Sequence, residues 1–209
     1  MPFGTPKFFL HFSLYDVFGM KSGPWDEYLL LQLHCIMLIR VMQFVNMSLT
    51  FHLAIHLFFS LLAGFLAWRI WKKPIVSFLG GVAGGFFVDL DHLIDYFLAF
   101  GTNFKLDYFL SGYQFLKSDK IYVLFHGWEY VIILLLLVWG LKSRILRSVF
   151  LSIALGLFFH LSTDIIIDGL PAKSYSLAYR ASRGFDLKEL VYPDHWQKHK
   201  SEKLNMPIE

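Results

Sequence analysis

The sequence predicts an all-α polytopic membrane protein, a four-helix transmembrane bundle followed by a polar C-terminal tail. The first observation is compositional: 56% of the 209 residues are hydrophobic and only 17% are charged, which is too apolar for an ordinary soluble domain. The second is a series of four apolar segments of spanning length, separated by polar or basic stretches. The third is a set of histidines and carboxylates inside those segments, where ionisable groups are costly and usually functional.

The four predicted spans belong to residues 47–170, which we expect to form one helical metal-site domain. They cover 53–71, 75–100, 121–141 and 148–168. Pro74 and the basic stretches "RIWKKP" and "KSRILR" mark helix ends between them. The second span contains overlapping small-xxx-small pairs, which predict that another helix approaches it closely. These pairs are formed by Gly80, Gly81, Gly84 and Gly85.

The two ends of the chain differ from this central domain. Two interpretations of 1–46 stay open: either 28–45 is an additional span interrupted by Arg40, or the segment precedes a natural start at Met47. At 171–209 the chain turns polar, and we expect a solvated or surface-lying tail. The single cysteine excludes a cysteine-based metal site and an internal disulfide. The sequence has no basic stretch interleaved with aromatic residues, the pattern typical of nucleic-acid binding, so we expect no nucleic-acid partner.

The ionisable residues of the spans are predicted to lie on one side of the membrane. Successive spans cross the membrane in opposite directions. The first turns of spans one and three therefore lie on the same side of the membrane as the last turns of spans two and four. These positions hold His52, His56, Asp89, Asp91, His92, Asp95, His126, Glu129, His160, Asp164 and Asp168. The opposite ends carry only the cations Arg69, Lys72, Lys73, Lys142, Arg144 and Arg147. Since no Lys or Arg lies deep in a span, metal ions, protonation or a water-filled cavity must compensate the carboxylates.

Spacing within the spans predicts that these groups face inward in pairs. Groups three or four residues apart share one helix face, and the pairs are His52/His56, His126/Glu129 and His160/Asp164. Asp91 lies more than a quarter-turn from Asp89 on an ideal helix. Either the helix is distorted there, or Asp91 supports the site from outside the ligand set.

A divalent ion held by mixed histidine and carboxylate ligands fits these groups best. Zinc is the preferred ion, as one or two ions, and manganese is the alternative. The predicted core ligands are Asp89, His92, His126, His160 and Asp164, and Asp91, His52, His56 and Glu129 complete the site or support a second ion. A carboxylate that is not consumed as a ligand, Glu129 or Asp95, is the predicted general base.

Three motifs resemble the membrane-bound metal-dependent hydrolases, a family described as LexA-binding, inner-membrane-associated hydrolases. The motifs are "DLDH" (89–92), "FHGWE" (125–129) and "HLSTDIIIDGLPA" (160–172), and the resemblance covers roughly 47–172. The family's motif histidines and aspartates fall on Asp89, Asp91, His92, His126, His160 and Asp164. Two positions depart from the family: Val88 replaces a proline, and the second histidine of the middle motif is missing. The resemblance implies a metal site and a bacterial or archaeal inner membrane.

These observations predict a membrane-embedded, metal-dependent hydrolase of a phosphoester or lipid-linked substrate at the membrane surface. A divalent ion lowers the pKa of a bound water toward about 7 and polarises a phosphoryl or acyl oxygen. Membrane lipid is the expected partner. A metal or cation transport protein is the alternative, because inward carboxylates also line cation pathways, and carboxylates argue against haem. The positive-inside rule places "RIWKKP" and "KSRILR" in the cytoplasm and the site on the outer face.

Overall fold

The fold is all-α, as the sequence predicts. It is seen in a computed structural model that describes residues 49–207, so the predictions for 1–46 lie outside the described residues. The α-helices are α1 Leu49–Trp71, α2 Pro74–Gly85, α3 His92–Phe100, α4 Leu106–Leu110, α5 Tyr113–Ser118, α6 Trp128–Gly140, α7 Arg144–Ile167, α8 Leu177–Ser182, α9 Leu187–Leu190 and α10 Pro193–Leu204. Two 3-10 helices, Phe87–Asp91 and Ala172–Tyr175, complete the regular structure between 49 and 207.

Two or three helical segments are long and apolar enough to cross a membrane, rather than clearly the four expected. The helices α1 and α7, with 23 and 24 residues, each reach spanning length alone. A third candidate joins α2 to the 3-10 helix and α3, and it bends by 48° at the break. The helix α6 is apolar throughout but has only 13 residues.

The predicted second span is bent, and the predicted third span is shortened by contacts with residues of the second. The carboxylates of Asp91 and Asp95, at and just after the break, accept hydrogen bonds from backbone N–H groups of Tyr122, Val123 and Phe125. Those N–H groups are therefore bonded to side chains of another element instead of to helix carbonyls. Residues 121–127 are not helical, and α6 begins only at Trp128. The prediction that His126 and Glu129 form a pair on one helix face is wrong for this reason.

The glycines of α2 let its backbone come into direct contact with the backbones of α1 and α7. All four are buried, and α2 packs against both α1 and α7, which also pack against each other. A Cβ atom on Gly81 would lie 2.3 Å from the carbonyl oxygen of Ser60 in α1, and one on Gly84 would lie 2.3 Å from that of Ile153 in α7. Small residues permit this approach in membrane helices. The predicted packing role of these glycines is confirmed.

The segment 171–207 is more than a polar tail. It folds into a 3-10 helix and three short α-helices, and it buries Tyr175, Arg180 and Leu190. Tyr175 packs in a core cluster with Val88, Val131, Leu157 and Leu161 of the apolar helices. The segment is thus attached to the same end of the helices that carries the histidines and carboxylates.

Candidate metal centre

The histidine of α7 presents one defined nitrogen to the cluster. His160 is buried, and its Nδ1 lies 3.0 Å from the carbonyl oxygen of Gly85, which can only accept a hydrogen bond. Nδ1 therefore carries the proton and donates it, so in a neutral ring Nε2 has a free lone pair. Asp164, one helical turn later, places Oδ2 at 3.1 Å from this Nε2.

His126 reaches the same point from the non-helical segment before α6. Its Nδ1 donates to Oδ2 of Asp91 at 3.1 Å, and the N–H of Phe125 donates to the same oxygen at 2.6 Å. A carboxylate on the far nitrogen is the usual partner of a metal-binding histidine, because it fixes the tautomer and the ring orientation. Nε2 of His126 is left facing His160 Nε2 at 3.0 Å. Asp91, one of the predicted ligands, is placed to orient this histidine.

Three donor atoms surround Nε2 of His160 at short range. Nε2 of His126 lies 3.0 Å away, Oδ1 of Asp89 3.2 Å and Oδ2 of Asp164 3.1 Å. Nε2 of His126 lies 3.2 Å from Oδ1 of Asp89 and 3.8 Å from Oδ2 of Asp164. His126, His160 and Asp164 could hold an ion together, and we call this group, with Asp89 beside it, the first ion position.

A second group of donors adjoins the first through the other oxygen of Asp164. His56 Nε2 lies 3.1 Å from Oδ1 of Asp164 and 2.8 Å from Nε2 of His52. These three side chains can hold an ion together, and two buried atoms here, His56 Nδ1 and Asp164 Oδ1, have no hydrogen-bond partner. We call this group the second ion position. Asp164 is the residue shared by both positions.

His92 lies at the open edge of the cluster. Its Nε2 is 3.4 Å from Oδ1 of Asp89, and these two side chains are 29% and 28% exposed, whereas those of His56 and His160 are fully buried. His92 can complete an ion site with Asp89 and His126. Solvent therefore reaches the cluster from the Asp89 and His92 side.

Within 49–207, no Lys or Arg forms an ion pair with the carboxylates of this cluster. In the ion pairs formed within 49–207, Asp89, Asp91 and Asp164 face only histidines, and no Lys or Arg joins them. Buried carboxylates need a compensating cation, either protonated imidazole or a metal ion. The buried histidine and aspartate groups can thus hold a metal ion, and mixed nitrogen and oxygen donors suit zinc or manganese.

The two predicted general bases are held by other contacts. Both oxygens of Asp95 accept backbone N–H groups of 122 and 123. Glu129 accepts hydrogen bonds from the Ser176 hydroxyl and from the N–H groups of Leu177 and Ala178, so it stabilises the start of α8. Neither belongs to a group of described residues that could hold a metal ion.

Two residues to which the sequence analysis assigned no role support the site. Arg180 is fully buried, and its guanidinium donates to the carbonyl oxygens of Val123, His126 and Ser174. Burial lowers the pKa of Arg180 below its ordinary value, although the carboxylates of Asp91, Glu129 and Asp95 raise it. Arg180 is surrounded in the chain by ordinary tail residues, and no local pattern marks it.

Asp168 is the other residue, and a pattern did exist for it. It follows His160 and Asp164 at successive four-residue intervals, which continues the same helix face. Its side chain is exposed, and Tyr175 donates to its Oδ2 at 3.2 Å. The N–H of Asp168 donates to the carbonyl oxygen of Asp164 at 2.8 Å, so Asp168 lies at the end of α7, one turn beyond the cluster. The spacing His-x3-Asp-x3-Asp was the signal that could have identified it.

His195 and His199 lie on α10, away from this cluster. His199 contacts Asp119, and His195 lies 4.0 Å from Asp194. Neither belongs to a possible metal group of the described residues. Comparison of the chain with family models, with curated proteins and with solved structures finds no match.

Proposed function

We propose that this chain is a membrane-embedded, metal-dependent hydrolase that acts on a phosphoester or lipid-linked substrate. The supporting observation is the convergence of His126 Nε2, Asp89 Oδ1 and Asp164 Oδ2 on His160 Nε2 at 3.0–3.2 Å, without a side-chain cation among them. The resemblance of the three sequence motifs to membrane-bound metal-dependent hydrolases supports the same proposal. An open edge at Asp89 and His92 provides room for a substrate, which a closed structural site lacks.

The ligand set would suit two divalent ions, most favourably zinc, and Asp164 would contribute one oxygen to each position. Its Oδ2 faces His126 and His160, and its Oδ1 faces His56 and the second ion position. A pair of divalent ions about 3.5–4 Å apart suits phosphoester hydrolysis by stabilising both the attacking and the leaving oxygen. Asp91 and Gly85 hold the tautomers of His126 and His160 that direct both Nε2 atoms to the first position.

We assign the general base to Asp168. Hydrolysis forms a bond between a water oxygen and phosphorus, breaks the bond from phosphorus to the leaving oxygen, and transfers a proton from water to a base. The side chain of Asp168 is exposed beside Asp164, and its one described hydrogen bond leaves the carboxylate able to accept that proton. Glu129 and Asp95, the bases expected from the sequence, already accept several hydrogen bonds each.

The charge pattern supports an orientation with the cluster on the outer face of an inner membrane. The connections after α1 and before α7 carry Lys72, Lys73 and Lys142, with further arginines on the adjoining helix ends. Such cations favour the cytoplasmic side. In this arrangement the four transmembrane elements are α1, the bent segment from α2 to α3, α6 and α7. The short helix α6 crosses the membrane together with the non-helical residues 121–127.

Metal analysis of purified protein, followed by a phosphoester-release assay in mixed micelles, tests this proposal. We expect stoichiometric zinc or manganese, turnover that a chelator abolishes, and recovery when the metal is restored. Tightly bound metal without turnover, together with ion flux in liposomes, would instead identify a cation transport protein.

A further inference from the structure

An apolar cavity adjoins the candidate metal centre, and nothing described so far uses it. It is lined by residues of α2, the 3-10 helix that follows, the segment 121–127, α6 and α7, and its volume is about 330 Å³. That volume falls at the lower end of ligand pockets in proteins, which measure about 300–1,000 Å³. All of its lining residues are apolar or aromatic.

The cavity exists because of how the helices pack. Both α2 and α6 pack against α7, but within the described residues α2 and α6 do not pack against each other to a comparable extent. Gly84 holds the backbone of α2 against Ile153 of α7, which forms the floor. Ile133 of α6 and Ala83 of α2 face the cavity from opposite sides, and both are exposed.

Three elements carry both a lining residue of the cavity and, close to it in the chain, a candidate ligand. Val88 directly precedes Asp89, Phe125 directly precedes His126, and Leu157 lies three residues before His160 in α7. A helix rises about 1.5 Å per residue, so Leu157 lies about 4.5 Å along the axis from His160. Ile153, seven residues before His160, extends the cavity about 10 Å from the ligands at the same rise per residue.

This direction leads into the hydrocarbon of the membrane. The cluster lies at one end of α7, and the cavity runs from there toward the end that carries Arg144 and Arg147. A polar molecule would lose its water here without gaining hydrogen bonds, whereas a hydrocarbon chain fits such walls.

We propose that this cavity holds the hydrocarbon chain of a lipid phosphoester whose head group reaches the metal centre. The inference rests on the proposed function and adds the substrate class to it. The reacting phosphorus would lie near the exposed edge formed by Asp89 and His92, with the chain passing Phe125 and Val88 into the cavity. Acyl and prenyl chains share the required chemistry.

Two substrates that differ only in the chain test this proposal, methyl p-nitrophenyl phosphate and hexadecyl p-nitrophenyl phosphate in mixed micelles. The variant Ile133→Trp narrows the cavity, and Ile132→Trp is its matched control, since both isoleucines are exposed on α6 but only Ile133 lines the cavity. We expect Ile133→Trp to lower the ratio of the two kcat/KM values, hexadecyl over methyl, at least about tenfold, on the scale of apolar pocket discrimination. Ile132→Trp should retain the wild-type ratio.

Equal hexadecyl-to-methyl ratios of kcat/KM in the two variants would overturn the proposal. A farnesyl analogue in the same assay distinguishes prenyl from acyl preference.

Photolabelling separates failure of the chain site from failure of the proposed function. A diazirine-bearing hexadecyl phosphate should label 83–88 or 125–134, and the label should be lost in Ile133→Trp and kept in Ile132→Trp. This result supports the cavity even if neither p-nitrophenyl substrate is hydrolysed, in which case the hydrolase proposal alone fails. Labelling spread evenly over the apolar helix surfaces would contradict the chain site, whatever the turnover.

Discussion

Nε2 of His126 and Nε2 of His160 lie 3.0 Å apart, and each ring donates its Nδ1 proton to a fixed acceptor. Two neutral rings in these tautomers have no proton to share between the facing nitrogens. Only a cation, a proton on one ring or a metal ion, relieves the repulsion of the two lone pairs. The nearby oxygens of Asp89 and Asp164 complete four donors around the same point, which favours a metal ion.

Removal of one of these two rings should release the ion at the first position. We expect His160→Ala and His126→Ala each to lose metal in purified protein measured by elemental analysis, because a tetrahedral site tolerates poorly the loss of one of its ligands. His195→Ala on α10 is the control and should keep the full metal content. Full retention in both cluster variants would contradict the ligand assignment.

Asp91→Asn should weaken metal binding without abolishing it. The asparagine can still contact His126, but it no longer offers a charged acceptor to fix the tautomer, and loss of such outer partners typically lowers metal affinity about 10–100-fold. Competition with a chelator measures this change. Exposed Asp107, on α4, provides the control Asp107→Asn, which should have wild-type affinity. Complete loss of metal in Asp91→Asn would make Asp91 itself a ligand, as the sequence alone allowed.

The base assignment separates Asp168 from Glu129. Asp168→Asn should keep its metal and lose about 10²–10⁴-fold in turnover, the contribution typical of general acid–base catalysis. Glu129→Gln should behave like Ser176→Ala, because both variants remove the same cap from α8. If Glu129→Gln alone kept its metal and lost turnover on that scale, Glu129 would be the base and Asp168 would not.

Arg180→Met should destabilise the segment that carries His126. Three backbone carbonyls, of Val123, His126 and Ser174, would lose a charged donor, and each such hydrogen bond contributes about 1.5–3 kcal/mol. A lower Tm in detergent, with reduced metal content, is the expected result. Arg183→Met removes an exposed arginine three residues later in the chain and should change neither quantity. Similar effects of both substitutions would refute this role for Arg180.

Asp119 should make the attachment of α10 sensitive to acid. Burial alone would raise its pKa, but hydrogen bonds from Lys203 and His199 outweigh burial and hold the pKa of Asp119 below its ordinary value of 3.8. A carboxyl whose folded pKa is lowered stabilises the fold above its unfolded pKa, and this stabilisation is lost as the pH falls through the folded pKa. Hydrogen exchange of α10 should therefore be faster in Asp119→Asn than in wild type at neutral pH.

The two proteins should then converge as the pH falls below 3.8, where the wild-type carboxyl takes up a proton. Glu202→Gln removes the exposed partner of Lys198 on the same helix and should match wild type at neutral pH. Exchange in Asp119→Asn that equals wild type at neutral pH would show that this contact does not attach α10.

The sequence by itself determined the class of this protein and the chemistry of its cluster. Apolar segments with the period and length of helices predict an all-α membrane protein, because side-chain burial in a membrane depends on local composition. The glycine spacing of α2 was equally readable, since small residues at that interval permit close packing wherever a second helix lies. Histidines and aspartates without nearby cations indicated a metal site for the same local reason.

The tertiary structure decided where α6 begins and which carboxylates join the candidate metal centre. The late start of α6 depends on hydrogen bonds from backbone N–H groups of 122, 123 and 125 to Asp91 and Asp95, about 30 residues away, which no local pattern encodes. The buried position of Arg180 likewise follows from the return of 171–207 onto the segment before α6. Unsatisfied backbone groups are costly to bury, so long-range polar contacts set these local structures.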